Sequence, residues 1–493
     1  MATSTSGSTS RLAPDQLGVP GVVFLVLAAV APLTGAIVVM ALAIALGNGS
    51  GLVFAVVAVA AILLLFAVGY AQMSRELVNA GGFYAFVVKG IGRPGGLVAG
   101  FIATMGYNFF VAGAVGTTGF FTSIIVADLV GVELNWFLAG AVLMVLSFLL
   151  ARGGIDISAK VLGVALVLET LTLLAFCVSV LVQTGLSMEV FTVDVMFGGS
   201  VGIALLLAAT AFLGFEATSL FSEESRDPER TVPRATYTAI VLIGLIHALT
   251  VWAIVSAAGV SDAQQVALDR LETGDLLFVL FEEHLGATML VVAQVLLIVS
   301  LFAALLAFHN MAARYLYSLG RVGILPGGLA RTRANGVPQT ALVTDLVFAL
   351  LVAGFFAVLG LDPITSLVPV MIGFGTLCVL VLQLLAAFSI VVHFRRRRDG
   401  RWWTTFVAPG LGMLGLLAMC VLALGNFPLL AGSDALYVRL LPWLLVLAVV
   451  GGLLYAPVLR SRRPEVYQLL ETDLERLDPS VPPAEGVAAR EQR

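Results

Sequence analysis

The chain has 493 residues, 60% of them hydrophobic and 11% charged, with a mean hydropathy of +1.06. That composition belongs to a polytopic membrane protein, and a formal net charge of −4 lacks the basic excess that a phosphate-binding surface needs, which excludes a nucleic-acid partner. Cys177, Cys378 and Cys420 all lie in apolar stretches, where they act as small buried hydrophobes and form no disulfide set.

Along the chain, Met1 to Ser10 is a Ser/Thr/Gly tail, and residues 1–16 are expected to be disordered. The stretch after Ser10 has no basic n-region and no small-residue cleavage site, so the first apolar segment reads as a membrane helix and not as a signal peptide. Twelve stretches reach the length that crosses roughly 30 Å of hydrocarbon: 17–46, 51–74, 95–127, 134–151, 157–184, 199–222, 233–259, 286–317, 339–360, 363–393, 406–425 and 436–459. The polar segment 464–493 reads as a C-terminal tail, with a short helix through Glu465 to Leu477 and disorder from Asp478 to Arg493. Placing both termini in the cytoplasm puts every one of the 26 Lys and Arg on the inside except Arg270 and Arg439, as the positive-inside rule requires. The expected location is therefore the lipid bilayer of the cytoplasmic (inner) membrane. The outer connection between the seventh and eighth spans is acidic, with Asp262, Asp269, Glu272, Asp275, Glu282 and Glu283. It reads as a solvated amphipathic surface helix or as a funnel for cations.

Two spans are interrupted, the first at Ala31-Pro32-Leu33-Thr34-Gly35 and the sixth at Phe212-Leu213-Gly214-Phe215-Glu216. In hydrocarbon every backbone N–H and C=O needs an internal partner, so unwound backbone persists only where it lines a cavity or binds something. Interruptions at matching places in two halves point to the substrate site of a secondary transporter. Pro32 lacks an N–H and its ring clashes with the carbonyl four residues back, so the first span should open around Ala28 to Pro32 and restart near Thr34. The amides of Leu33, Thr34 and Gly35 would then face a cavity at a helix N-terminus, which favours an anion such as a carboxylate. On the sixth span Gly214 tolerates strained backbone, and freed carbonyls around Ala211 to Leu213 can accept from an ammonium group. Candidate substrate contacts are Ala31, Leu33, Thr34, Gly35, Phe212, Leu213 and Gly214, with Tyr107 and Asn108 of the third span as candidate lining. Phe212 and Phe215 flank the second interruption as gate candidates. A proline kink beside a packing glycine would leave the same letters.

Around the second interruption, Gly214-Phe215-Glu216, Glu223-Glu224 and Asp227-Pro228-Glu229-Arg230-Thr231-Val232-Pro233-Arg234-Ala235 come one after another at fixed spacing. This resembles the G-[FV]-E…E-[ES]-x-[ND]-P-x-[KR]-x-[IV]-P-x-A signature of the amino acid–polyamine–organocation superfamily. Asn79-Ala80-Gly81-Gly82-Phe83-Tyr84, Gly92-Arg93-Pro94 and Ala313-Arg314-Tyr315 through Leu325-Pro326 match it further, and the likeness covers residues 17–463. The resemblance implies an all-α membrane protein of the LeuT type. Residues 17–185 and 199–393 would be inverted five-helix repeats, and two extra helices would fill 406–459. The family carries Gly-[SA]-Gly in the first interruption, where this chain has Leu33-Thr34-Gly35, so an amine stays open as substrate beside an amino acid.

An ionisable group inside the membrane is a functional candidate by default. Glu169 lies about 12 residues, roughly 18 Å of helix, from the inner start of the fifth span, near the midplane. By its spacing from Ser158-Ala159-Lys160 it aligns with a position where some proton-coupled relatives carry a lysine in place of a bound sodium ion. Burial favours a neutral acid there, which suits the loading and release of a proton; a carboxyl group simply bonded to Thr170 or Thr172 is the alternative. Glu216, carried over from the family motif, either bonds to the first or tenth span and links binding to closure, or only holds the unwound segment. His309 and Asn310 read as partners of inner-side groups, His247 as structural, and Asp345 as a paired charge. No metal cluster, nucleophile triad or Walker-type loop is visible, so no enzyme and no cofactor are expected. The reading is a secondary active transporter of amino acids or related amines, coupled to protons and working by alternating access. An exchanger on the same fold and a non-transporting nutrient sensor are the alternatives.

Overall fold

The computed structural model describes residues 17–78, 81–271, 273–430 and 436–475. The tails at 1–16 and 476–493, Asn79 and Ala80 of the family motif, and Glu272 of the acidic connection lie outside the described residues. All regular structure described is helical, apart from one extended pairing between Leu17 and Ser225. The principal helices are α1 (Val19–Val30), α2 (32–48), α3 (Leu52–Glu76), α4 (Phe83–Ile91), α5 (Arg93–Val130), α6 (Trp136–Gly153), α7 (Ile155–Gln183) and α8 (Val201–Thr210). They continue with α9 (Pro228–Ala258), α10 (Ala263–Asp269), α11 (Leu276–Leu285), α12 (Ala287–Arg321), α13 (Gln339–Val358), α14 (Val368–Arg396), α15 (Ala408–Gly425), α16 (Pro442–Arg462) and α17 (Pro464–Glu475).

Among the described residues, eleven helical stretches are long and apolar enough to cross a membrane. Twelve were expected; the count is eleven because spans 17–46 and 51–74 fall in one apolar stretch of 58 residues, Val19–Glu76, which the chain breaks with a kink between them. Short helical turns bridge the two across Gly47 and Gly49, whose backbones leave the helical region. The bridge is held from outside. Ser200 N–H donates to Gly47 O (3.1 Å), Gln264 Nε2 donates to Ala45 O (3.2 Å), and Asn48 Nδ2 donates to Met196 O (3.1 Å).

The centre of the bundle is α5, packed against α14, α12 and α6. Helices approach this closely only where side chains are small. A Cβ on Gly106 would lie 2.7 Å from Cys378 Cβ, and one on Gly119 would lie 2.1 Å from the Trp136 carbonyl oxygen. Large apolar side chains at the periphery are bare, Val358 to 88%, which is the surface of a protein solvated by hydrocarbon rather than water. At the helix ends, Asn135 Oδ1 accepts from the Phe137 and Leu138 amides to cap α6, and Arg93 of α5 pairs with Glu471 of α17 at 2.8 Å. The expected helix near 465–477 is therefore present as α17 through Glu475.

Two buried acids are paired with basic side chains. Asp345 Oδ2 of α13 meets His309 Nδ1 of α12 at 2.6 Å, the paired charge the sequence suggested. Arg314 of α12 grips Glu224 with both arms of its guanidinium, donating through Nη2 at 2.7 Å and Nε at 2.9 Å, and lies over the Phe221 ring at 4.7 Å. The same segment holds the start of α1: Leu17 N–H donates to Glu224 O (2.9 Å) and Arg226 N–H donates to Leu17 O (2.7 Å). Helix starts and ends from α1, the stretch after α8, and α12 are thereby bolted together. Arg314→Met should cost about 3–5 kcal/mol, because it strands a buried Glu224 carboxylate. The double variant Arg314→Met/Glu224→Gln should recover much of that in thermal melts of the purified protein. Equal melting temperatures for the single variant and the wild type would contradict the assignment.

Candidate functional site

Both interruptions are present, in forms that differ from expectation. Helix α1 ends when Ala31 enters the left-handed region (φ 48°, ψ 76°), and helical geometry resumes at once from Pro32. The opening is thus one residue wide, narrower than the expected Ala28 to Pro32. The second is wider. Helix α8 stops at Thr210, Gly214 sits at φ 113°, and the chain then runs in isolated 3₁₀ turns, Phe215–Thr218 and Ser222–Glu224, until α9 begins at Pro228. The span expected over 199–222 is therefore helical in its first part only. Gly214 is needed for its positive φ and for close approach: a Cβ there would lie 2.9 Å from Ala29 Cβ. The two interruptions touch at this point.

The amides freed at the first interruption are not bare. Leu33 N–H donates to Glu169 Oε2 (3.5 Å), Thr34 N–H donates to Ser300 Oγ (3.3 Å), and Gly35 N–H closes a helical turn on Ala31 O (2.8 Å). Ser300 Oγ–H donates to the same Glu169 oxygen at 2.8 Å, and Thr34 Oγ1–H donates to Ser300 Oγ at 3.0 Å. Glu169, 1% exposed on α7, thus places its carboxyl group at the N-terminus of α2. The expectation that all three amides face the cavity is corrected here: a carboxyl group and a hydroxyl of the protein itself take two of them. Thr170 and Thr172 are not its partners; the Thr172 hydroxyl donates to Leu168 O.

The cavity beside this cluster has a volume of about 90 Å³. From the first interruption Ala29, Val30, Ala31, Thr34 and Gly35 line it, continued by Val38 and Val39; from the second, Thr210, Ala211 and Leu213. The carbonyls of Ala211 and Leu213 accept no hydrogen bond among the described residues, whereas Phe212 O accepts from Phe215 N–H (3.4 Å). Of the sequence candidates, Ala31, Thr34, Gly35 and Leu213 reach the cavity; Leu33, Phe212, Gly214 and Tyr107 stand behind it. The remaining wall went unread in the sequence: Phe110, Ala114, Thr117 and Thr118 of α5, Leu301, Ala304 and Phe308 of α12, and Ile372 of α14. Phe110 and Phe308 stack at 4.0 Å, joining α5 to α12 across the cavity wall.

Glu216 holds the second interruption. Its Oε1 accepts from Tyr107 Oη–H (2.7 Å), and its Oε2 accepts from Gly214 N–H (3.0 Å) and Gln383 Nε2 (3.4 Å). It therefore reaches the tenth span through Gln383 and the third through Tyr107, and makes no bond to the first. Tyr107 in turn packs on Tyr315 at 4.9 Å and Phe308 at 6.1 Å. Phe215 is packed edge-on against Phe66, and Phe212 lies near His247. Asn108 returns its amide to Thr104 O, one turn back on its own helix.

A family model described as "Amino acid permease" matches residues 17–450. The chain belongs to that family. The permease is 26% identical over 404 residues to the branched-chain amino acid permease BcaP of Lactococcus lactis, an alignment covering 75% of this chain and 81% of that one. It is 24% identical over 427 residues to BcaP of Bacillus subtilis, with 82% and 85% covered. The aromatic amino acid transport protein AroP of Escherichia coli O157:H7 is 30% identical over 267 residues, about half of either chain. These relatives are permeases and not enzymes, and the permease is an integral membrane protein of amino acid transport.

His247 explains why position 35 is glycine. Its Nδ1 is bonded to Ile243 O at 2.9 Å, and a Cβ on residue 35 would lie 2.5 Å from its Nε2. Gly35→Ala should therefore lower the melting temperature, and His247→Ala in the same chain should return at least about 1 kcal/mol of the loss, since contacting residues couple. Strictly additive effects in this double-mutant cycle would contradict the contact.

Proposed function

We propose that the permease is a proton-coupled symporter of small amino acids with neutral, apolar side chains. The observation that carries this reading is the cavity where the two interruptions meet. At about 90 Å³ it is small beside the roughly 300–1,000 Å³ of drug-sized sites, and its lining holds no charged side chain. A charged substrate side chain would enter it without a partner, at several kcal/mol. The free carbonyls of Ala211 and Leu213 suit the substrate ammonium; the positive dipole end of α2, where Thr34 and Gly35 line the cavity with their amides already bonded, favours its carboxylate. The names of the two BcaP relatives support an apolar side chain.

The proton site in this reading is Glu169, buried and facing no cation among the described residues. Alternating access would use the LeuT-type plan: twelve crossings, two inverted repeats and two added helices, with α1, α2 and the stretch after α8 rocking against α5, α6, α12 and α13. Glu216 would carry movement of the second interruption to α5 and α14. An exchanger on this fold would move substrate without net proton flux, and a sensor would bind without moving it.

In sealed liposomes with an inward proton gradient, the wild type should accumulate leucine or valine and ignore lysine and glutamate. Glu169→Gln should bind and exchange substrate yet accumulate none. Gradient-driven accumulation by Glu169→Gln would remove Glu169 from the proton path, and preference for lysine would overturn the substrate class. In this reading both termini lie in the cytoplasm and the protein sits in the inner membrane, as the distribution of Lys and Arg suggests. Asp399 lies on that side in a turn where the Arg401 guanidinium holds its carboxyl down at about 2, so the exposed neighbour Gly400 is the better labelling site. A cysteine at exposed position 269 should react with an impermeant thiol reagent on intact cells, and one at position 400 should not. The reverse pattern would invert the topology.

A further inference from the structure

Three hydroxyl and carboxyl groups form a line from the cavity to the buried acid. Thr34 Oγ1, on the cavity wall, donates to Ser300 Oγ at 3.0 Å, and Ser300 Oγ donates to Glu169 Oε2 at 2.8 Å. Backbone amides pin the line at its middle and at its far end: Thr34 N–H on Ser300 Oγ and Leu33 N–H on Glu169 Oε2. Each hydroxyl owns one hydrogen and two acceptor positions, so the direction of the first bond dictates that of the next. As placed, both hydrogens point away from the cavity toward a carboxylate, and Thr34 shows the cavity only lone pairs.

We propose that Ser300 is a positioning residue that reverses this line when Glu169 takes up a proton, switching Thr34 from an acceptor to a donor for the substrate carboxylate. A proton on Oε2 makes Glu169 the donor to Ser300 Oγ. The two acceptor positions of Ser300 are then filled by Glu169 and by Thr34 N–H, and its own hydrogen turns to Thr34 Oγ1. Thr34 can no longer donate to Ser300, so its hydrogen turns into the cavity. No heavy atom moves and no proton passes along the line; each hydroxyl rotates. Substrate carboxylate and proton thus favour each other's binding through three side chains, and neither need touch the other.

The neighbours leave this line undisturbed. Helices α1 and α2 carry no titratable side chain. From α9, His247 lies against Gly35; on α12, His309 and Arg314 are taken by Asp345 and Glu224. His284 of α11 packs on Phe176, two turns along α7, with Glu282 and Glu283 beside it in the chain; Cys177 of α7 is equally distant, and Arg152 ends α6. None of these bonds to Glu169 among the described residues.

This inference rests on Glu169 as the proton site, and the test separates the two claims. Leucine affinity is measured on purified protein from about pH 8 to about pH 6 for the wild type, Glu169→Gln, Ser300→Ala, Ser300→Thr and Thr34→Val. The wild type and Ser300→Thr should bind leucine about tenfold tighter at the lower pH, a coupling of ordinary size between two sites. Glu169→Gln, Ser300→Ala and Thr34→Val should each bind with a flat pH profile. If Glu169→Gln is flat while Ser300→Ala or Thr34→Val keeps the wild-type slope, the relay is wrong and the proton site stands. If Glu169→Gln keeps the slope, both fall. Should Ser300→Ala fail to fold, Thr34→Val cuts the same line at its other link and decides alone.

Discussion

The architecture depends on how a membrane protein satisfies the backbone at a broken helix. Pro32 removes one N–H, and the next two amides turn sideways to Glu169 and Ser300 instead of back to Ala29 and Val30. In hydrocarbon such a break persists only if neighbours complete it. Here the completing groups come from α7 and α12, so a strained point of the chain, Ala31 in the left-handed region, is also where three segments are tied. A carboxyl group at the start of α2 meets the positive end of its dipole, which stabilises the break and favours the ionised form of the acid.

The second interruption obeys the same constraint with different means. Glu216 takes the Gly214 amide and spreads the load to Tyr107 and Gln383, while Tyr70 of α3 reaches the Glu216 carbonyl and the Thr218 hydroxyl. Because Gly214 lies against Ala29, the two breaks share one boundary, and the cavity opens along it. Farther along the chain, the Arg314–Glu224 pair and the Leu17 strand bond tie α1, α12 and the unwound stretch together. Any motion that separates these segments must part these bonds.

Much of this was legible in the letters. Pro32 and Gly214 marked the breaks, the G-F-E…E-E…D-P signature named the family, and Glu169 stood out because an acid inside an apolar span has few innocent explanations. What escaped was whatever depends on the partner across the gap. Nothing in the sequence says that Glu169 and Ser300 meet beside Leu33 and Thr34, since their positions differ by 131 in the chain. Phe110 and Phe308 escaped because each sits in an uninterrupted helix, among 30 phenylalanines with no local signal. Tyr107 was read as cavity wall, yet its hydroxyl is held by Glu216 one layer back.

The central claim is that substrate and proton enter together through one cluster of groups. The most direct measurement is proton movement on adding leucine to sealed liposomes that contain the protein and a trapped pH dye, with no gradient imposed. The account predicts that the interior acidifies as leucine enters, and that Glu169→Gln abolishes the change while leucine exchange continues. Leucine entry by the wild type with no change in internal pH would contradict it.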